Sequence, residues 1–168
     1  MMNRVLVIGY GNPGRLDDGL GPTCAESIER MRIPGVSVDA DYQLTVETAC
    51  AAAQHEYVVF ADASVGCPEP FVFRPVHPAG QGTFSTHLVE PEDVMALARD
   101  LFRAGTKGYT LGIRGYEFDA FGEILSAKAS DNLAAALRFI VPVLRDCSFD
   151  AALIKGAGEL PAEVRNRS

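Results

Sequence analysis

Three parts of the sequence carry side chains that could bind a cation or transfer a proton. The adjacent carboxylates Asp17 and Asp18 follow a glycine-rich segment. Asp62 directly follows an apolar run, and His87 lies in a polar stretch. Two carboxylates and one imidazole form a nitrogen and oxygen ligand set that suits nickel, zinc, manganese or iron. Because three protein ligands leave coordination positions open, such a site could also bind water or a substrate.

Each of these residues also has a simpler explanation. One of the two adjacent carboxylates, Asp17 or Asp18, is expected to cap the helix that follows, which leaves the other free to face a cleft. Asp62 could stabilise a turn at the end of its strand. A loop histidine such as His87 is by default a surface residue. The metal hypothesis therefore depends on the fold bringing these side chains together.

Strand and helix patterns alternate along the chain. Strands are predicted for residues 4–9, 36–40, 57–61, 70–74 and 109–114, the fourth of them antiparallel or at an edge because prolines surround it. Helices are predicted for residues 19–31, 45–54, 91–104 and 126–144, the last kinked or restarted at Pro142. The fold class is thus α/β: a single-domain three-layer sandwich with an open, twisted, mainly parallel sheet and helices on both faces. Residues 1–146 are assigned to this domain and residues 147–168 to an uncertain tail.

The position of Asp62 at the carboxyl end of the third strand favours a binding role. Ligands of open α/β sheets bind in the crevice at this edge, where the strand order switches direction. If the first and third strands are neighbours, Asp62 and the loop that carries Asp17 and Asp18 border one crevice.

The glycine-rich segment Gly9-Tyr10-Gly11-Asn12-Pro13-Gly14 also fits a dinucleotide-binding pattern, with Asp39 as the ribose-binding acid. In that motif the helix begins at the loop, and its free N–H groups bind the pyrophosphate. Here Pro13 lacks one donor, and Asp17 and Asp18 lie where the phosphates would bind. The segment therefore favours a cation over an anion, and a dinucleotide site that uses Gly9, Gly11 and Gly14 is the weaker alternative.

Composition narrows the possible partners. The chain has 168 residues and a net charge of −7, with an isoelectric point near 4.9, so neither nucleic acid nor an anionic membrane is expected to bind. No apolar run reaches the roughly 18 residues of a membrane span. The spacing of the four cysteines fits neither a disulfide framework nor a zinc cluster, and reduced thiols indicate a cytoplasmic protein. No sustained exposed apolar face is evident, so we expect a monomer.

The segment from Gly9 to Gly21 resembles the Gly-x-Gly-Asn-(x)4-Asp-[Asp/Glu]-Gly-x-Gly signature that opens the hydrogenase maturation proteases. The strand that ends in Ala61-Asp62-Ala63 is similar to the second motif of this family, and Ser85-Thr86-His87 is similar to the third. The matches follow in order from about residue 4 to residue 140. The resemblance therefore covers most of the predicted domain.

The resemblance implies a five-stranded α/β sandwich and an endopeptidase. The reaction would remove the C-terminal extension of a nickel-containing hydrogenase large-subunit precursor, the expected partner. The family's metal ligands fall on Asp18, Asp62 and His87, which would also form the catalytic site, while Asp17 becomes the helix cap. The substrate would supply the nickel, for which other divalent metals could substitute. A non-catalytic, metal-sensing maturation chaperone that uses the same residues is the alternative.

Overall fold

A computed structural model describes residues 4–80 and 89–158. The strands are β1 (Val5–Tyr10), β2 (Val36–Asp41), β3 (Tyr57–Ser64), β4 (Phe71–Val76) and β5 (Lys107–Arg114). The helices are α1 (Leu20–Arg30), α2 (Val46–Ala53), α3 (Pro91–Phe102), α4 (Ala127–Asp146) and α5 (Phe149–Gly158). A short 3₁₀ turn, Leu16–Gly19, precedes α1 and is called the acidic turn below.

The five strands form one sheet in the order β2-β1-β3-β5-β4. All neighbours are parallel except β4, which pairs antiparallel with β5 at the edge of the sheet. An edge position suits this strand because Pro75 has no N–H to donate to a further strand. The predicted mainly parallel α/β sheet and the predicted character of its fourth strand are confirmed.

Each face of the sheet has its own hydrophobic core. Along β1, Val5 and Val7 face a core that includes residues of α1, α4 and α5. The alternate residues Leu6 and Ile8 face a second core with α2 and α3. A parallel strand covered on both faces is apolar at consecutive positions, which explains the uninterrupted apolar runs of β1 and β3. The predicted three layers are therefore α1, α4 and α5, then the sheet, then α2 and α3.

The segment that follows α4 is structured beyond the predicted domain boundary at residue 146. It forms α5, whose first residue, Phe149, is only 1% exposed. The Phe149 ring stacks on Tyr57 at 4.5 Å and on Tyr109 at 4.8 Å between ring centroids. Helix α4 continues through Pro142 without a restart. Residues 147–158 thus belong to the same folded unit as the sheet, and the rest of the predicted tail lies outside the described residues.

Candidate functional site

A crevice opens where the strand order reverses. From β1 the chain passes through α1 to β2 on one side and then through α2 to β3 on the other. The pairing of β1 with β3 ends at Gly9 and Ala61, so Asp62 lies one residue farther toward the carboxyl edge. The expected proximity of the first and third strands is confirmed. The acidic turn contacts β3 at this edge and brings Asp18 toward Asp62.

Asp62 is a partly buried carboxylate of the crevice with a strongly raised pKa. Burial raises its pKa to about 7, against hydrogen bonds from the Ala63 backbone and the Tyr10 hydroxyl that lower it. The negative charges of Asp18 and Glu90 raise this pKa further. Burial, followed by the charges of Asp62 and Glu90, also raises the pKa of Tyr10. A carboxylate in this environment gains from binding either a proton or a cation.

Glu90 and Tyr10 are members of this crevice that sequence reasoning did not select. Glu90 is the N-terminal cap residue of α3, and its backbone N–H donates to the Asp93 carboxylate over 2.9 Å. Burial raises the pKa of Glu90, with the charges of Glu92 and Asp93 adding to the effect. Two sequence features could have identified these residues. They are the acidic segment that begins three residues after His87 and the tyrosine inside the glycine-rich motif.

A cavity of about 230 Å³ extends from Asp62 across β5 on the α2 and α3 face of the sheet. Its lining includes Tyr10, Asp62, Ser64, Glu90, Thr110 and Gly112. The apolar side chains of Phe60 and Leu111 also line it, next to small or polar residues of the same two strands. A substrate segment in this cavity would lie next to the carboxylates of both Asp62 and Glu90.

Asp18 is fixed by the glycine-rich loop. Its Oδ2 accepts the Asn12 N–H over 2.8 Å. Gly11 has a φ of 137°, and a Cβ at this residue would lie 2.2 Å from the Asp18 carbonyl oxygen. A glycine is thus required at residue 11, because any side chain there would collide with the backbone of the acidic turn. Because the Asn12 N–H is already bonded to a carboxylate, the loop does not offer it to a phosphate, which argues against the dinucleotide alternative.

The prediction that Asp17 caps α1 is wrong. The residue that caps α1 is Gly19, and Asp17 is completely buried, with 0% exposure. Its carboxylate accepts the N–H groups of Tyr116, Glu117 and Ser126, at 2.8, 3.0 and 2.7 Å, and the Ser126 hydroxyl at 2.7 Å. Burial alone would raise the pKa of Asp17, but these hydrogen bonds outweigh it and lower the pKa.

The physical reason for this difference is the acidic turn itself. The turn separates Asp17 from the first residue of α1. It directs the Asp17 carboxylate toward residues 116–126, about 100 residues later in the chain. Ser126, one of its partners, is the N-cap of α4 and accepts the Ala129 N–H over 3.3 Å. Asp17 therefore joins the acidic turn to the start of α4.

His87, the third predicted ligand, lies outside the described residues. Within residues 4–80 and 89–158, no group of three or more histidine, cysteine or acidic side chains could hold a metal ion. In the same part of the chain, neither Asp18 nor Asp62 forms an ion pair with a lysine or arginine. Two neighbouring carboxylates without a cationic partner fit a metal ion, and the assignment of all three ligands stays a prediction.

Solved structures of hydrogenase maturation proteases are similar to this fold. The HycI protease of Thermococcus kodakarensis KOD1 has a TM-score of 0.67 and 22% identity, and the match covers 85% of this chain and 93% of that protein. For the endopeptidase HybD of E. coli the TM-score is 0.66 and the identity 19%, with coverage of 86% and 93%. The hydrogenase 2 maturation peptidase of Thaumarchaeota archaeon SCGC_AB-539-E09 has a TM-score of 0.62, 22% identity and coverage of 84% and 97%.

These similarities confirm the predicted resemblance at the level of fold. No protein-family model matches the chain, and no curated protein matches its sequence. Among the helices of the described residues, none is both long and apolar enough to cross a bilayer.

Proposed function

We propose that this chain is an endopeptidase that removes the C-terminal extension of a nickel-containing hydrogenase large-subunit precursor. The observation that carries this proposal is the crevice, where carboxylates from distant parts of the chain, Asp18 and Asp62, border the switch point of the sheet. The fold is the one that solved hydrogenase maturation proteases have. The position of these two carboxylates and the fold support the same function independently.

In this proposal the nickel belongs to the substrate, and Asp18, Asp62 and His87 bind it. Chain connectivity permits His87 as the third ligand, because Glu90 lies near Asp62 and follows His87 by three residues. Three residues span at most about 11 Å, so His87 is within covalent reach of the crevice. Two carboxylates and one imidazole are suitable ligands for nickel.

The reaction is the addition of water to a peptide bond. The crevice binds the nickel-bearing end of the precursor and places the scissile carbonyl beside its carboxylates. Water adds its hydroxyl to the carbonyl carbon, a carboxylate of the crevice accepts the proton, and the C–N bond breaks as the amine of the extension is protonated. Glu90, which is not one of the three proposed nickel ligands and whose pKa burial raises, is our candidate for the carboxylate that accepts this proton.

Single alanine substitutions of Asp18, Asp62 and His87 test the site. The substrate is the nickel-loaded precursor, and the measurement is the intact mass of its C-terminus over time. We expect each substitution to abolish trimming while the circular dichroism spectrum stays that of the wild type. His77→Ala is the matched control, since His77 is an exposed histidine ten residues before His87. Trimming at the wild-type rate by all three variants would show that the site assignment is wrong.

Two further outcomes separate the protease from the maturation chaperone. A protein that binds the nickel-loaded precursor without changing its mass is a chaperone. A protease directed by the substrate's metal should trim the nickel-loaded precursor and leave the nickel-free precursor intact. Equal trimming of both forms would contradict recognition through the metal.

A further inference from the structure

The segment of residues 115–126, called the 115–126 loop here, exposes two large apolar side chains. Phe121 is 87% exposed and Ile124 is 81% exposed, more than any other large hydrophobic side chain of the described residues. The loop connects β5 to α4. Large exposed apolar side chains that lie close together are typical of protein interaction sites.

This exposure does not come from a loosely held loop. The Asp17 carboxylate accepts hydrogen bonds near both ends of the loop, from the N–H groups of residues 116–117 and from Ser126. In its middle, the Leu16 N–H donates to the Gly122 carbonyl and the Gly122 N–H donates to the Gly14 carbonyl, each over 2.8 Å. Leu125 packs against the core, so the loop has an inner side as well as the outer side that carries Phe121 and Ile124.

The loop that carries the exposed pair follows β5 at the carboxyl edge of the sheet, the edge at which Asp62 also lies. The residues that hold the middle of the loop, Gly14 and Leu16, belong to the segment that leads to Asp18. The Arg15 guanidinium lies over the Phe121 ring, 5.6 Å from its centroid. Phe121 is thus held beside the segment that carries Asp18, at the edge of the sheet where a client protein would bind.

Charges around the pair indicate the chemistry of its partner. Three exposed carboxylates on the same loop, those of Glu117, Asp119 and Glu123, outnumber the one Arg15 guanidinium that lies over Phe121. A second copy of this chain would bring matching carboxylates together in a symmetric contact and would add to the repulsion of two chains of net charge −7. A complementary partner has an apolar area with lysine or arginine side chains around it.

We propose that Phe121 and Ile124 dock the folded body of the hydrogenase large-subunit precursor, at an apolar area that basic side chains surround beside its nickel site. This inference rests on the proposed function and assigns a separate surface to substrate recognition. The crevice binds the nickel and the scissile segment, while the 115–126 loop binds the body of the client. An aromatic side chain held in a fixed loop is a suitable anchor for such an interface.

A double substitution, Phe121→Ser with Ile124→Ser, tests the docking surface. The control is Leu101→Ser with Phe102→Ser, which removes two similarly exposed side chains at the far end of α3, 63% and 47% exposed. Calorimetry with the nickel-loaded precursor gives Kd, and the mass assay gives KM. We expect both constants to rise about tenfold or more in the loop variant. The control should stay within about twofold of the wild type.

Every outcome of this experiment bears on the proposal. An unchanged Kd in the loop variant, with a wild-type melting temperature, overturns it. If the wild type binds the precursor without cleaving it, the protease function fails, and docking stands only if the loop variant binds more weakly. If the wild type does not bind the precursor, docking fails too. A wild-type dimer that the loop variant converts to a monomer in sedimentation would assign the surface to self-association and also overturn the proposal.

The acidic side chains supply a second, independent test. We expect Glu117→Lys with Glu123→Lys to raise Kd for the same precursor and to weaken the dependence of binding on salt. Tighter binding by this variant would contradict a basic area on the client.

Discussion

Asp62→Asn should stabilise the metal-free protein at neutral pH while it abolishes processing. Burial and the nearby negative charges make ionisation of Asp62 unfavourable in the folded state, because its pKa rises from 3.8 to about 7. An asparagine has nearly the same shape and carries no charge at any pH. Its single side-chain oxygen can still accept a hydrogen bond from the Ala63 N–H or the Tyr10 hydroxyl.

The magnitude follows from the linkage between proton binding and folding. Below about pH 4 the carboxyl group is protonated in both states, and Asp62 does not penalise the fold. As the pH rises toward 7, the group ionises in the unfolded chain but not in the folded one, so stability is lost. Each pKa unit corresponds to about 1.4 kcal/mol, and a shift of about three units corresponds to about 4 kcal/mol above pH 7. We therefore expect Asp62→Asn to add about 2–4 kcal/mol to the free energy of unfolding at pH 8 and less than about 1 kcal/mol at pH 4.

Urea denaturation of the metal-free full chain at several pH values measures this difference. Asp119→Asn is the control, since Asp119 is exposed and its substitution changes the net charge by the same amount. The reasoning is refuted if Asp62→Asn is no more stable than the wild type at pH 8, or if its advantage stays constant down to pH 4.

Three other substitutions, one of them with a matched control, give contrasting expectations. Gly11→Ala should lower nickel affinity and stability, because its Cβ would lie 2.2 Å from the Asp18 carbonyl oxygen. Its control is Gly35→Ala, where φ is 78° and the added Cβ would meet nothing within 4 Å. In urea denaturation, Gly35→Ala should lower the free energy of unfolding by only about 1 kcal/mol. Asp17→Asn should reduce the free energy of unfolding by about 3 kcal/mol, because an amide cannot accept hydrogen bonds at both ends. Phe149→Ala should lower the free energy of unfolding by about 3–5 kcal/mol but leave the cleavage rate per folded molecule unchanged. A lower rate in the folded fraction would contradict the separation of α5 from the site.

The sheet and one carboxylate of the site could be predicted because the relevant signals are local. The apolar runs of β1 and β3 identify strands that are buried on both faces. Asp62 follows such a run directly, so its location at the carboxyl edge follows from counting residues along a strand. Its neighbour across the crevice, Asp18, was assigned only through the family motif. Spacing alone did not distinguish Asp18 from Asp17.

What could not be predicted depends on contacts between distant residues. The role of Asp17 is set by partners about 100 residues later, which no local pattern connects to it. Helix α5 was missed because the burial of Phe149 requires the rings of Tyr57 and Tyr109, and these come together only in the folded sheet. Glu90 has the sequence features of an ordinary helix start, and only its proximity to Asp62 includes it in the site.

The acidic turn has a consequence for comparing this chain with distant relatives. In a 3₁₀ turn, successive side chains point about 120° apart, so Asp17 and Asp18 face the protein interior and the crevice respectively. The two residues are chemically identical and yet not interchangeable. An alignment displaced by a single position here would exchange a buried anchor for a candidate metal ligand and still pair one aspartate with another. The neighbouring glycines, whose spacing is fixed by backbone contact, are the safer reference points for numbering homologous ligands.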